Sequence, residues 1–143
     1  MRLDIVSIDP RSHTPVYVQL AELLRRRVES GDLQPGSLLP SESHLSQEYG
    51  IGRDAVRAAI ALLRSEGVMT TTKGRGTWVR EAPRRTDIEL APGGSTVARM
   101  PSSRERREMD LDEGVPVLEI HGPDGDVQIR PADQTRVTRP QSD

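Results

Sequence analysis

At 143 residues, with 34% hydrophobic and 2% aromatic residues and no Phe, the chain can form one ordinary domain or two small ones with thin cores that lean on association between chains. It contains no Cys, which excludes a disulfide framework, Cys-based zinc sites and thiol chemistry and fits a reducing cytoplasm; no window approaches the ~18 apolar residues of a membrane span, and MRLDIVSIDP has no secretory apolar run. The net charge of −2 is unevenly divided: residues 41–80 carry six bases and four acids, residues 82–143 nine Arg and twelve acids, and phosphate binding depends on a local basic face rather than on the mean.

Leu3 to Ile8 alternates loosely, as a short strand does. Pro15 suits the first turn of a helix, where its missing N–H is not needed. In Val16 to Ser30 the apolar residues Val16, Leu20, Leu23, Leu24 and Val28 form one helical face, and Gly31 ends the run. Asp32 to Pro40, with Pro35-Gly36, is a connecting turn. Ser41 is an N-cap for a helix Glu42 to Tyr49 with Leu45 and Tyr49 inward, although His44 stands where a capping box requires Glu. Gly50 permits a tight turn into a third helix, Arg53 to Glu66, which buries Val56, Ala59, Ile60 and Leu63 and leaves Arg53, Asp54, Arg57 and Arg64 outward. Gly67 stops it. The β-branched runs Val68 to Thr72 and Thr77 to Arg80 flank Lys73-Gly74-Arg75-Gly76 and compose a hairpin.

Glu81 to Ser95 is rich in Pro, Gly and Arg and reads as a linker. Thr96 to Met100 is strand-like, and Ser102-Ser103-Arg104-Glu105 is a capping box that opens a helix to about Met109. Val115 to His121 and Val127 to Arg130 are strands around the turn Pro123-Asp124-Gly125-Asp126. From Thr138 the chain is polar and reads as a disordered tail. The expected fold class is therefore α+β: a winged helix-turn-helix in residues 1–81, a linker at 82–95, a small β-rich α+β domain at 96–137 and a tail at 138–143.

A helix-turn-helix with a wing places its second helix in the DNA major groove and its hairpin on the flanking backbone. Arg53 and Arg57, four apart near the start of that helix, share one stripe opposite the apolar face. An arginine can pair bidentately with guanine O6 and N7 at ~1–3 kcal/mol of discrimination. For an isolated pair a solvated charged face is the plainer explanation; followed by a basic wing, the pair points to base readout. Asp54 is evenly balanced between accepting from a cytosine amino group and being favoured simply as an acid at a helix N-terminus. Lys73, Arg75 and Thr77 offer contacts to the DNA backbone, Gly74 with Gly76 lets the wing approach closely, and Ser41 adds a hydroxyl beside helix N–H groups suited to phosphate. His13, His44 and His121 are scattered without metal-ligand spacing, and Asp110 to Gly114 lacks the glycine and distal Glu positions of a calcium loop. With no phosphate loop and no nucleophile elbow, neither an enzyme, a metal nor a cofactor is indicated.

The ordered residues Pro15 and Tyr17, Gly31, Pro35-Gly36, Leu39-Pro40-Ser41-Glu42, Arg53, Val56-Arg57, Ala59, Leu63, Glu66-Gly67 and Gly74-Arg75-Gly76-Thr77 resemble the N-terminal DNA-binding domain of the GntR family over about residues 13–80. The resemblance implies a transcriptional repressor that binds double-stranded palindromic operators as a homodimer and is commonly released by a small metabolite. The chain departs from the family pattern at Ser43, often Arg; at Gly52, usually Ser, where a Gly cap costs only a few tenths of a kcal/mol; and at Asp54-Ala55, in place of a Thr or Ser pair. These changes bear on operator sequence and affinity. Residues 96–137 resemble the opening strand, helix and hairpin of a UTRA-type effector domain, shortened to a sheet too small to enclose a ligand site of ~300 Å³. Dimerisation through exposed edge strands is then its expected role. Two other readings stay open: a small-molecule effector site formed across the dimer, and a winged-helix protein-interaction module whose arginines meet an acidic partner.

Overall fold

The computed structural model describes residues 7–141, which divide between Glu81 and Ala82 into two compact units. The strand expected at Leu3–Ile8 lies mostly outside the described residues; Ser7 and Ile8 are not in a strand, and Ile8 packs against the first unit's core.

In the first unit, helix α1 (Val16–Glu29) follows Pro15 and carries Arg26 and Arg27 in its last turn, where cations suit the helix dipole. Its buried residues are Leu20, Ala21 and Leu24. Val16, Leu23 and Val28 are only half-buried, so the inward stripe is narrower than the apolar spacing suggests and includes Ala21. Helix α2 (Glu42–Tyr49) is capped by the Ser41 hydroxyl, which accepts from the His44 N–H, and ends at Gly50 in the left-handed region at φ 65°. Helix α3 (Arg53–Ser65) buries Val56, Ala59, Ile60 and Leu63. Strands β1 (Met69–Thr72) and β2 (Gly76–Val79) form an antiparallel hairpin with Thr72 opposite Gly76.

The connection between α1 and α2 does more than turn. The Gly36 N–H donates to the Val79 carbonyl at 2.8 Å, the Val79 N–H to Ser37 at 2.9 Å, and the Leu39 N–H to Thr77 at 2.7 Å. This extended segment is a third rung beside β2 and anchors the hairpin to the start of α2. The core is aliphatic, with Leu33, Leu39, Leu45, Met69 and Val79 joining the helix residues and Tyr49 at its margin. Burial of each large aliphatic side chain contributes about 1.5–3 kcal/mol, so the unit is held by helix, connection and hairpin residues packed together.

In the second unit, β4 (Ser95–Arg99), β5 (Val117–His121) and β6 (Val127–Pro131) form an antiparallel sheet in that order. Helix α4 (Ser103–Glu108) opens with the Ser102–Glu105 capping box. Leu111, Val115 and Val117 make a small core with Met109 and Ile129.

Two expectations are corrected here. The segment 82–95 is not purely a linker, because Thr86–Glu89 is a strand (β3). Thr138 does not begin the tail, because it closes strand β7 (Thr135–Thr138), which follows a 3-10 turn at Ala132–Gln134. Residues 139–141 lie beyond that strand, and residues 142–143 are outside the described residues. β3 and β7 pair in parallel, Asp87 opposite Arg136, and Arg136 holds Asp87 through two hydrogen bonds of 2.7 and 2.8 Å. Each strand is four residues long with its partner far away in sequence, so no local pattern announces either.

One ionic cluster ties this unit together. Arg99 grips Glu105 with both terminal nitrogens, at 2.9 and 2.8 Å, and donates from Nε to Glu119 at 2.5 Å. The guanidinium, helped by the Ser102 N–H, lowers the Glu105 carboxyl to about 2, and Arg99 likewise lowers Glu119. A carboxylate whose folded-state value is depressed stabilises the fold above its unfolded value and loses that contribution as pH falls toward the folded value. Hydrogen-exchange protection of residues 95–121 is accordingly expected to hold at neutral pH and to fall between the ordinary glutamate range and about pH 2. A Glu105→Gln chain should have lower protection at neutral pH and a smaller acid-dependent loss. Equal profiles for the two chains would mean that the Arg99–Glu105 pair does not stabilise this unit.

Candidate nucleic-acid interface

α2 and α3 meet through a turn that the sequence sets locally. Gly50 reverses the backbone, the Ser46 hydroxyl donates to the Ile51 carbonyl at 2.5 Å, and Gly52 precedes Arg53 in an extended conformation without a side-chain cap. With Val56, Ala59, Ile60 and Leu63 inward, the opposite stripe of α3 presents Arg53, Asp54 and Arg57 to solvent.

Both arginines are exposed, and both touch α2. Arg57, with 59% of its side chain accessible, donates from Nε to Glu42 Oε2 at 2.9 Å, and its Nη1 lies 3.8 Å from Asp54 Oδ1. Arg53 donates from Nη2 to the Ser43 hydroxyl. Asp54 is fully exposed at the helix N-terminus, which is favourable for an acid there.

An open groove of about 450 Å³ runs between α3 and the hairpin, lined by Glu42, Arg57, Ala58, Arg64, Thr71 and Thr77. A neighbouring one of about 390 Å³ continues past Ser41 and Glu42 to Lys73, Gly74 and Arg75. Arg57, Ser41 and the wing thus border two adjoining grooves on one side of the unit, whereas Arg53 and Asp54 line neither of them. Arg64 fastens helix to wing: its Nη1 donates to Thr71 Oγ1 at 3.3 Å, and the Thr71 and Thr77 hydroxyls are 3.0 Å apart.

Thr77 therefore has an internal partner and is half-buried, while Lys73, Gly74 and Arg75 are exposed at the tip, where the Arg75 N–H closes the turn onto the Thr72 carbonyl at 3.0 Å. Gly74 has φ +77° with open space where a Cβ would stand; Gly76, at φ +111°, has Leu38 Cδ1 3.2 Å from that position. Gly74 leaves the tip free of side-chain bulk, and Gly76 is required by its positive φ rather than by packing, since the neighbouring Leu38 is exposed and can shift. The Ser41 oxygen is engaged as the α2 cap, and its O–H remains able to donate.

Sequence reasoning did not identify Glu42 and Ser43 as partners of the arginines, or Arg64 and Thr71 as the helix–wing tie. Glu42 and Arg57 are 15 residues apart, and only the crossing of two helices brings them together.

The family model described as bacterial regulatory proteins, gntR family, matches residues 16–79. The HTH-type transcriptional repressor NagR of Bacillus subtilis (strain 168) is 40% identical over 74 residues, 52% of this chain and 30% of that protein. The mannosyl-D-glycerate transport/metabolism system repressor MngR of Escherichia coli (strain K12) is 38% identical over 76 residues, 53% of this chain and 32% of that protein. The chain therefore spans about a third of the length of these two relatives. Among solved structures, YtrA from Sulfolobus acidocaldarius, described as a GntR-family transcription factor, matches with a TM-score of 0.50 and 34% identity, covering 54% of this chain and 81% of that one. Among the described residues, no helix is long and apolar enough to cross a membrane.

Proposed function

Because the chain belongs to the GntR family of bacterial regulatory proteins, through its winged helix-turn-helix at residues 16–79, we propose that it is a cytoplasmic DNA-binding repressor that acts as a homodimer on a palindromic operator. One observation carries this reading: two arginines a helical turn apart protrude from α3, and the groove that Arg57 lines with the wing strands adjoins the one that reaches the basic, glycine-tipped end of the wing. In this reading Arg53, Arg57 and Asp54 meet base edges, and Ser41, Lys73, Arg75 and Thr77 meet the backbone, with Gly74 allowing close approach. The chemistry is that of binding; no catalytic step is invoked.

Dimerisation is supported by the second unit, whose β4 and β6 are the two outer strands of a three-stranded sheet, and an outer strand can pair with a partner chain. A two-fold dimer would present two α3 helices to half-sites about one helical turn of DNA apart.

The test is titration of the full chain against random duplex and against a site selected from a random pool, at several salt concentrations. The expected result is tighter binding to the selected site and a steep loss of both affinities with salt. Lys73→Ala should weaken all duplexes alike and flatten the salt slope by about one. Binding that ignores both salt and sequence would overturn the reading in favour of a protein-interaction module.

A further inference from the structure

The first two residues of α2 each hold one of the outward arginines of α3. Glu42 accepts from Arg57 Nε at 2.9 Å, and Ser43 accepts from Arg53 Nη2. Neither α2 residue is fully buried, and none of the four side chains belongs to the hydrophobic core. The contacts therefore act on the arginines more than on the fold.

Their chemistry has two consequences. With Nε hydrogen-bonded to Glu42 and Asp54 no nearer to Nη1 than 3.8 Å, beyond hydrogen-bond reach, Nη1 and Nη2 of Arg57 are the fork left for a base edge, and that fork matches guanine O6 and N7. A guanidinium already fixed loses less rotamer freedom on contact. Secondly, the Glu42 carboxylate lines both halves of the groove between α3 and the wing. There it offsets the Arg57 charge and repels phosphate, which weakens the attraction that is independent of sequence. Asp54, 3.8 Å from Arg57 Nη1 and fully exposed, adds to that repulsion but does not engage Nε.

Resting on the DNA-reading function above, we propose that Glu42 and Ser43 are positioning residues that raise sequence discrimination by aiming Arg57 and Arg53 and by suppressing non-specific binding. Ser43 fits this role as a neutral acceptor: a cation at the same place would repel Arg53.

The experiment compares the full wild-type chain with Glu42→Ala, Glu42→Gln and Ser43→Ala. Each is titrated with the wild-type selected duplex, its single-base variants and a random duplex, and melting is followed in parallel. Glu42→Ala is expected to bind random duplex several-fold more tightly and to lose about tenfold in discrimination at one base pair, with its melting temperature unchanged. Glu42→Gln, which keeps an acceptor for Nε without the charge, should bind random duplex more tightly yet retain most of the discrimination. Ser43→Ala should lose discrimination at a different base pair.

A merely structural role would lower specific and random affinity together, along with the melting temperature, and that result overturns the proposal. So does discrimination equal to wild type in Glu42→Ala, or unchanged random binding in Glu42→Gln. If the wild-type chain itself selects no site, the DNA-reading function fails first, before any variant is compared.

Discussion

Replacing Arg57 with Ala is expected to leave the fold intact and to reduce affinity for the preferred DNA site by about 5–150-fold, the equivalent of ~1–3 kcal/mol. The side chain is 59% accessible and its partners Glu42 and Asp54 are open to water, so its loss strands no buried charge. Surface changes of this kind move stability by only about 0.5 kcal/mol. The loss should be concentrated at one base pair, where the four alternatives become nearly equivalent. Arg57→Lys makes the prediction sharper. It retains the positive charge but not the planar fork, so random-duplex affinity should be kept while the preference at that pair is lost. Fluorescence anisotropy on a site and its single-base variants reads both quantities. A uniform loss over all sequences would instead assign Arg57 to the phosphates.

The second large effect concerns the scaffold. Leu63 is fully buried where α3 faces the core, and Leu63→Ala should destabilise the first unit by about 2–5 kcal/mol through lost transfer energy and the cavity left behind. Against the ~5–15 kcal/mol typical of a whole domain, that is a severe loss. Its neighbours Val56, Ala59 and Ile60 are themselves short or branched aliphatics, and no aromatic is among the buried residues that could swing in to refill the space. The chain's single Trp, Trp78 in β2, belongs to this unit and so reports its unfolding by emission in a denaturant series. A shift worth less than 1 kcal/mol would mean that the site collapses around the cavity and that the core is more adaptable than described. The two variants also separate cause from consequence: Leu63→Ala should lose DNA binding in step with unfolding, Arg57→Ala without it.

What could be read in advance followed local rules. The stripe Val56, Ala59, Ile60 and Leu63, the Ser41 cap and the left-handed Gly50 are all decided within a turn or two of chain, and helices α1 to α3 appear within a residue of their expected ends. The Ser102–Glu105 capping box is likewise a short-range signal, and both of its hydrogen bonds are formed. What escaped depends on distant partners. β3 lies in a Pro- and Arg-rich stretch and exists because β7 pairs with it in parallel, with Arg136 clasping Asp87 across 49 residues. The rung formed by residues 36–39 beside β2 was hidden for the same reason: the Pro35-Gly36 pair at its start signals a turn, while its hydrogen bonds reach Thr77 and Val79. At the candidate interface the arginines could be picked out as an outward stripe, but not their tethers. Whether Glu42 or some other acid reaches Arg57 is set by how α2 crosses α3, a property of packing and not of spacing.

The central claim is that the exposed face of α3 reads base sequence. Selecting bound fragments from a random DNA pool with the wild-type chain and the Arg57→Ala chain in parallel tests it most directly. The wild type should enrich an inverted repeat containing guanine, and the variant should enrich the same repeat with that guanine position degenerate. If both chains return the same motif, or the wild type returns the composition of the starting pool, the face of α3 does not read DNA.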